Sequence, residues 1–241
     1  MPSVAELSAP YGNFMLGPRP GAGVCDVCFD LIGGDSRCHR CARNGGWLDA
    51  VVPISYSVAH EQLHHTLASY KRLPADLARR FEVELAAVLW RFVAGHELCL
   101  ATAAHTPGFD LVTTVPSGRR DRDADHPLGR IVGELVAPTR GRWARLLRPG
   151  ETEVAPREFS LAKFTAAQQL PGRSVLLVDD TWTTGASARS AAATLKRAGA
   201  STVAAVVIGR HLRRDWRDND RRLQALPQPF HWERCALESP C

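Results

Sequence analysis

A chain of 241 residues is long enough for one large α/β domain, or for such a domain carrying a small module. Its 45% hydrophobic and 23% charged residues are the proportions of an ordinary globular protein. The formal charge of +5 permits an anionic partner, phosphate ligand or nucleic acid, without choosing between them.

No apolar run reads as the roughly twenty residues of a membrane span, and "MPSVAELSAP" lacks the basic start and apolar core of a secretion signal. A cytoplasmic protein is expected. Residues 1–24, rich in Pro and Gly and without a sustained period, read as a flexible leader. Residues 25–47 hold four of the seven cysteines, in "CDVCFDLIGGDSRCHRC". In a reducing compartment, Cys25, Cys28, Cys38 and Cys41 read as a metal site rather than a disulfide frame. Two tight CxxC pairs can give four thiolates to a tetrahedral Zn2+ and leave no position open for water, so the expected role is structural. The competing reading is a set of reduced thiols without metal. Cys99 reads as core, and Cys235 and Cys241 as tail thiols without a role, although either could approach the module.

Residues 48–215 read as the main α/β domain. "LDAVVPISYSV" suggests a strand, and "HEQLHHTLASYKR" a helix with Leu63, Leu67 and Tyr70 on one face. Pro74 opens a longer helix whose stripe is Leu77, Phe81, Leu85, Val88 and Phe92. "FDLVTTVP" predicts a strand ending at Pro116, and Leu128, Ile131, Val132 and Leu135 follow helical spacing. Residues 138–158 are basic, irregular and suited to a flap. "SVLLV" gives a buried strand to Val178, residues 186–198 a helix ended by Gly199, and "STVAAVVIGR" another strand. Residues 216–241 read as an irregular tail, and the arginines around Trp216 as a locally paired surface. This order predicts a mostly parallel sheet with flanking helices, and ligands at the carboxyl ends of its strands. Pro116 and the Asp179–Asp180 pair both fall at such ends.

The stretch "SVLLVDDTWTTGAS" carries the chemistry. Adjacent carboxylates repel, so Asp179 and Asp180 need a divalent cation, sugar hydroxyls or a basic neighbour. Thr183, Thr184 and Ser187 supply hydroxyls, Gly185 permits a close turn, and the amides at the following helix start favour phosphate. A sugar phosphate satisfies both ends. A response-regulator receiver also pairs acids at a strand end, but Asp215, Asp218 and Asp220 lie in no strand pattern that would supply its third aspartate.

"VLLVDDTWTTGAS" resembles the thirteen-residue signature of type I phosphoribosyltransferases, which bind 5-phosphoribosyl 1-diphosphate (PRPP). The resemblance implies that Asp179 and Asp180 hold the ribose hydroxyls. It further implies that Thr183, Thr184, Gly185, Ala186 and Ser187 wrap the 5-phosphate, with Thr181 inside the same PRPP-binding stretch. Pro116, Ser117, Gly118 and Arg119 would meet the diphosphate, with Mg2+ bridging it to the ribose. As a whole, the chain is similar to the competence protein ComF family in its four-cysteine module, in "SYKRLPADLAR", in "LVTTVP" and in "VDDTWTTGAS". The second of these makes Lys71 an anion contact. Departures are "RRDRDADHPLGR" where that family has "RGFNQ", Trp182 in place of an aliphatic residue, and Thr183 where some purine-salvage relatives carry an acidic base. His126 lies near the implied diphosphate loop and is a further candidate contact. The implied activity is phosphoribosyl transfer to an unidentified acceptor through an oxocarbenium-like state. The alternative is a non-catalytic member that senses a ligand or acts in DNA uptake, with nucleic acid or competence proteins as partners. The sequence leaves the catalytic residues and the oligomeric state open.

Overall fold

Alternating apolar runs build a sheet that is buried on both sides. A computed structural model of the protein describes residues 2–43, 45–117, 126–225 and 228–237. Its sheet contains β1 (Leu16–Gly17), β2 (Ala50–Val58), β3 (Leu111–Thr114), β6 (Ser174–Trp182), β7 (Thr202–Leu212) and β8 (Gln228–Pro229). The order is β3-β6-β7-β2-β1-β8, with the first four strands parallel and the last two antiparallel. Strands β4 (Leu147–Pro149) and β5 (Phe164–Ala166) form a separate antiparallel pair.

Side chains of successive residues leave a strand on opposite faces. Leu176, Val178, Ala204, Val206 and Ile208 therefore pack on one side, with Leu85, Leu89 and Phe92 of the long helix. Val175, Leu177, Val203, Ala205 and Val207 pack on the other, with Ala188, Ala191 and Leu195, and with Cys25, Cys28 and Cys41. The mixed α/β architecture, its mostly parallel sheet and its flanking helices are those predicted. So is a cysteine cluster near the N-terminus compatible with a zinc-ribbon-like module.

The helices are α1 (Val4–Ser8), α2 (His39–Arg43), α3 (Gln62–Ser69), α4 (Ala75–Ala103), α5 (Pro127–Arg130), α6 (Ala137–Arg140), α7 (Ala186–Arg197) and α8 (Asn219–Ala225). A π turn, Ile131–Leu135, continues α5. Helix α4 corrects one expectation, because by length and composition it could cross a membrane. Its apolar stripe is used on the sheet instead, where Leu85, Val88 and Leu89 are fully buried, whereas Leu77 is 57% exposed.

Residues 1–24, expected to form a flexible leader, carry both local and long-range contacts. Ser3 and Glu6 form a capping box on α1. Tyr11 is buried and its hydroxyl donates to Glu84 over 3.0 Å, and β1 pairs with β2. The tail expected to be irregular contains α8 and β8, and returns Phe230 and Ala236 to the core. The flap over 138–158 also contains elements: α6, then Trp143 bridged to Val112, then β4. Strand β6 overruns Val178 to Trp182 because β7 continues to pair with it, Trp182 standing opposite Arg210. The arginine-rich stretch near Trp216 pairs locally through Arg214–Asp220 and Arg222–Asp218, and Arg214 also reaches Glu61 across the fold.

Candidate functional site

Asp179 and Asp180 project from opposite faces of β6, which is how two adjacent carboxylates coexist there. Asp179 is half-buried, and Asp180 is only 3% exposed. Tyr70, just past α3, donates its hydroxyl to Asp180 Oδ2, and Lys71 forms an ion pair with the same oxygen. Burial works against charge on Asp180, but the Lys71 ammonium and the two hydrogen bonds outweigh it and hold its pKa below the usual carboxylate value. For Asp179, burial and then the neighbouring Asp180 charge raise the pKa to about 7, against a smaller opposing pull from Lys71. Lys163, half-buried before β5, lies close enough to feel Asp179. Burial, and then the Asp180 charge, push the Tyr70 phenol well above its usual range.

The Thr-Gly segment begins one residue beyond β6. Gly185 caps α7 in the left-handed region, at φ 73°. A Cβ there would lie 2.1 Å from Cζ2 of Trp182, so both the backbone and the space require glycine. The Ala186 amide donates to Thr184 Oγ1 over 3.3 Å, while that hydroxyl lies 3.4 Å from the Arg157 carbonyl as its donor. Thr181, Thr183 and Ser187 are half-exposed, and Thr184, Gly185 and Ala186 are buried. The first amides of α7 have no acceptor within their own helix, which is the arrangement that suits a bound anion.

Two buried arginines brace this segment from behind. Arg210 of β7 is 3% exposed and donates to the carbonyls of Trp182 and Thr183, both at 3.1 Å, and of Cys28 at 2.9 Å; it also pairs with Asp30 at 2.7 Å. Arg189 of α7 donates to the Thr184 carbonyl at 3.2 Å and to Cys41 Sγ at 3.1 Å. Its guanidinium also lies over the Trp182 ring, 5.3 Å from the centroid. The cysteine module and the Thr-Gly turn therefore share two cations.

In that module, the Sγ atoms of Cys25, Cys28, Cys38 and Cys41 all lie within 4.8 Å of one another, with Cys28 and Cys38 separated by 3.8 Å. The Cys38 amide donates to Cys25 Sγ over 3.3 Å. Four soft donors this close fit Zn2+. The ion would supply structure to a module whose β-type chain is short.

Val115 donates its amide to the Val178 carbonyl over 3.0 Å, which carries Pro116 to the neighbourhood of the acid pair. A cleft of about 420 Å³ opens here, lined among others by Pro116, His126, Arg130, Glu134, Trp143 and Arg145. His126 is near enough for its charge to act on Asp180. The acid pair and Thr-Gly turn do not themselves line this cleft. Gly118 and Arg119 lie outside the described residues, as do Arg120, Arg122 and Cys241.

Sequence reasoning did not single out Tyr70, Lys163, Arg189 or Arg210. Tyr70 was read only for its apolar face. A legible signal for the two arginines was their position: one inside an Ala-rich helix stripe, the other ending an otherwise apolar strand.

No protein-family profile matches the chain. Over an alignment of 116 residues that covers 44% of the chain, it is 35% identical to an adenine phosphoribosyltransferase of Nocardia farcinica, 56% of which is covered. The chain thus spans little more than half the length of this curated relative. It is a distant, partial homologue of a phosphoribosyltransferase, which supports a relationship of the type I phosphoribosyltransferase kind.

Proposed function

We propose that the protein binds PRPP with Mg2+ and transfers the phosphoribosyl group to a nucleobase, adenine being the first acceptor to test because the relative acts on it. The observation that carries this reading is the junction of β6 and α7. Hydroxyl acceptors, Asp179 and Asp180, and an anion-suited turn, Thr183 to Ser187, stand at the two ends of one short segment. The ribose hydroxyls would donate to the carboxylates, and the turn amides to the 5-phosphate. Bound Mg2+ would supply charge stabilisation to the leaving diphosphate. Pro116 and Ser117 would face that diphosphate. A ribose hydroxyl competes with Lys71 and Tyr70 for Asp180, and a displaced Lys71 is placed to meet the anionic ligand.

A second reading is favoured by the cysteine module, whose packing against the turn through Arg189 and Arg210 suits the ComF-like branch. In it, the same pocket reports PRPP to partners in DNA uptake without turnover. One experiment separates the two. Titration calorimetry with PRPP should show saturable binding that requires Mg2+, and adenine or another nucleobase should then release diphosphate. Binding without release across a nucleobase panel favours the sensor. Absence of binding rejects both.

A further inference from the structure

Away from this site, helix α4 meets the C-terminal segment at a second cluster of metal-type donors. His96 and Cys99 are one turn apart on α4, so they share a face. Cys235 comes from the returning tail, and the three donor atoms lie within 4.8 Å of one another. We propose that His96, Cys99 and Cys235 form a second metal site, selective for a borderline-soft divalent ion of the zinc class.

The imidazole is oriented for the task. His96 Nε2 is 2.7 Å from the Trp232 carbonyl, and a carbonyl can only accept. The proton of the neutral ring therefore sits on Nε2, and Nδ1 is the lone-pair nitrogen, 3.9 Å from Cys99 Sγ. An imidazole that donates from its other nitrogen to a backbone carbonyl is the usual support for a metal-bound histidine. Zinc bond lengths of ~2.1 Å to nitrogen and ~2.3 Å to sulfur place tetrahedral ligand atoms about 3.6 to 3.8 Å apart. The cluster needs only a small contraction to reach that spacing. Two thiolates and an imidazole are soft donors, which disfavours Mg2+ and Ca2+.

His96 is buried, while Cys99 and Cys235 are half-buried. On binding, each cysteine gives its thiol proton to solvent. The ion joins the tail to α4 where Trp232 already lies under Arg91, whose guanidinium is 4.4 Å from the indole centroid. Its role is to fasten the segment that carries β8.

The test uses the full chain loaded with Zn2+ or Co2+ and freed of loosely held metal. Elemental analysis should show about one ion per chain more in the wild type than in Cys99→Ser/Cys235→Ser. The cobalt difference spectrum should show thiolate charge transfer. Equal metal content overturns the proposal, as does a Cys99–Cys235 disulfide with no change in metal. Should the double variant fail to fold, alkylation mapping of the wild type decides. Zn2+ should protect Cys99 and Cys235 by at least about tenfold in rate relative to chelated protein, and equal rates refute the site.

Discussion

The two ends of the β6–α7 junction lie a few residues apart yet are held by different forces. At the acid end, Asp180 is neutralised by a lysine and a phenol that a ligand can replace. At the turn, Gly185 is fixed by the Trp182 ring in front of it and by two buried guanidinium groups behind. The first end is adjustable and the second is prebuilt. Under the proposed function, such a site would anchor the phosphate in a rigid cradle and let the sugar displace internal partners.

The comparison breaks most visibly at Arg210. Replacing Arg210 with Met strands four carbonyl acceptors and leaves Asp30 without its buried partner. Unfolding in urea should show a loss of about 3 kcal/mol, with PRPP binding lost alongside. A change below about 1 kcal/mol would mean that the turn is not braced from behind. Next comes Gly185→Ala, which meets both the ring and the positive φ, and should cost about 2 kcal/mol and more than tenfold in PRPP affinity. Adding Trp182→Leu should recover part of the affinity, since it removes the atom that the new methyl strikes. No recovery would assign the whole effect to backbone strain.

The acid end gives the smallest and most reversible effect. Because the folded-state pKa of Asp179 is raised to about 7, its ionisation disfavours the ligand-free fold as pH climbs from the ordinary value of 3.8 toward 7. Hydroxyl donors favour the ionised form, so PRPP affinity should increase as pH passes through about 7, by up to about tenfold per unit below that point. Calorimetry between pH 6 and 8 measures it, and Asp179→Asn should flatten the profile. A wild-type profile already flat would place Asp179 outside ligand contact.

Much of this was legible because the decisive chemistry is local. The paired aspartates, Gly185 and the CxxC spacing each occupy a few consecutive residues, and the apolar runs declare a sheet covered on both faces. What stayed hidden depends on topology. Tyr70 meets Asp180 across 110 positions, and Arg210 meets Cys28 across 182. No window of sequence joins such residues until the parallel strands are ordered. The leader differs: the Ser3–Glu6 cap is readable in the sequence, whereas the burial of Tyr11 and Met15 depends on contacts far along the chain.

The outermost strands carry one more consequence. Leu16 is the β1 residue that pairs with β2, and Ser55 fastens it by accepting its amide at 2.9 Å and donating to its carbonyl at 3.2 Å. Strands β1 and β8 thus act as a guard rail along an otherwise open row of backbone N–H and C=O groups. Trimming the N-terminal extremity would bare the flank of β2, and trimming the C-terminal one that of β1; either would invite neighbouring molecules to stack there as fibrils or soluble clumps.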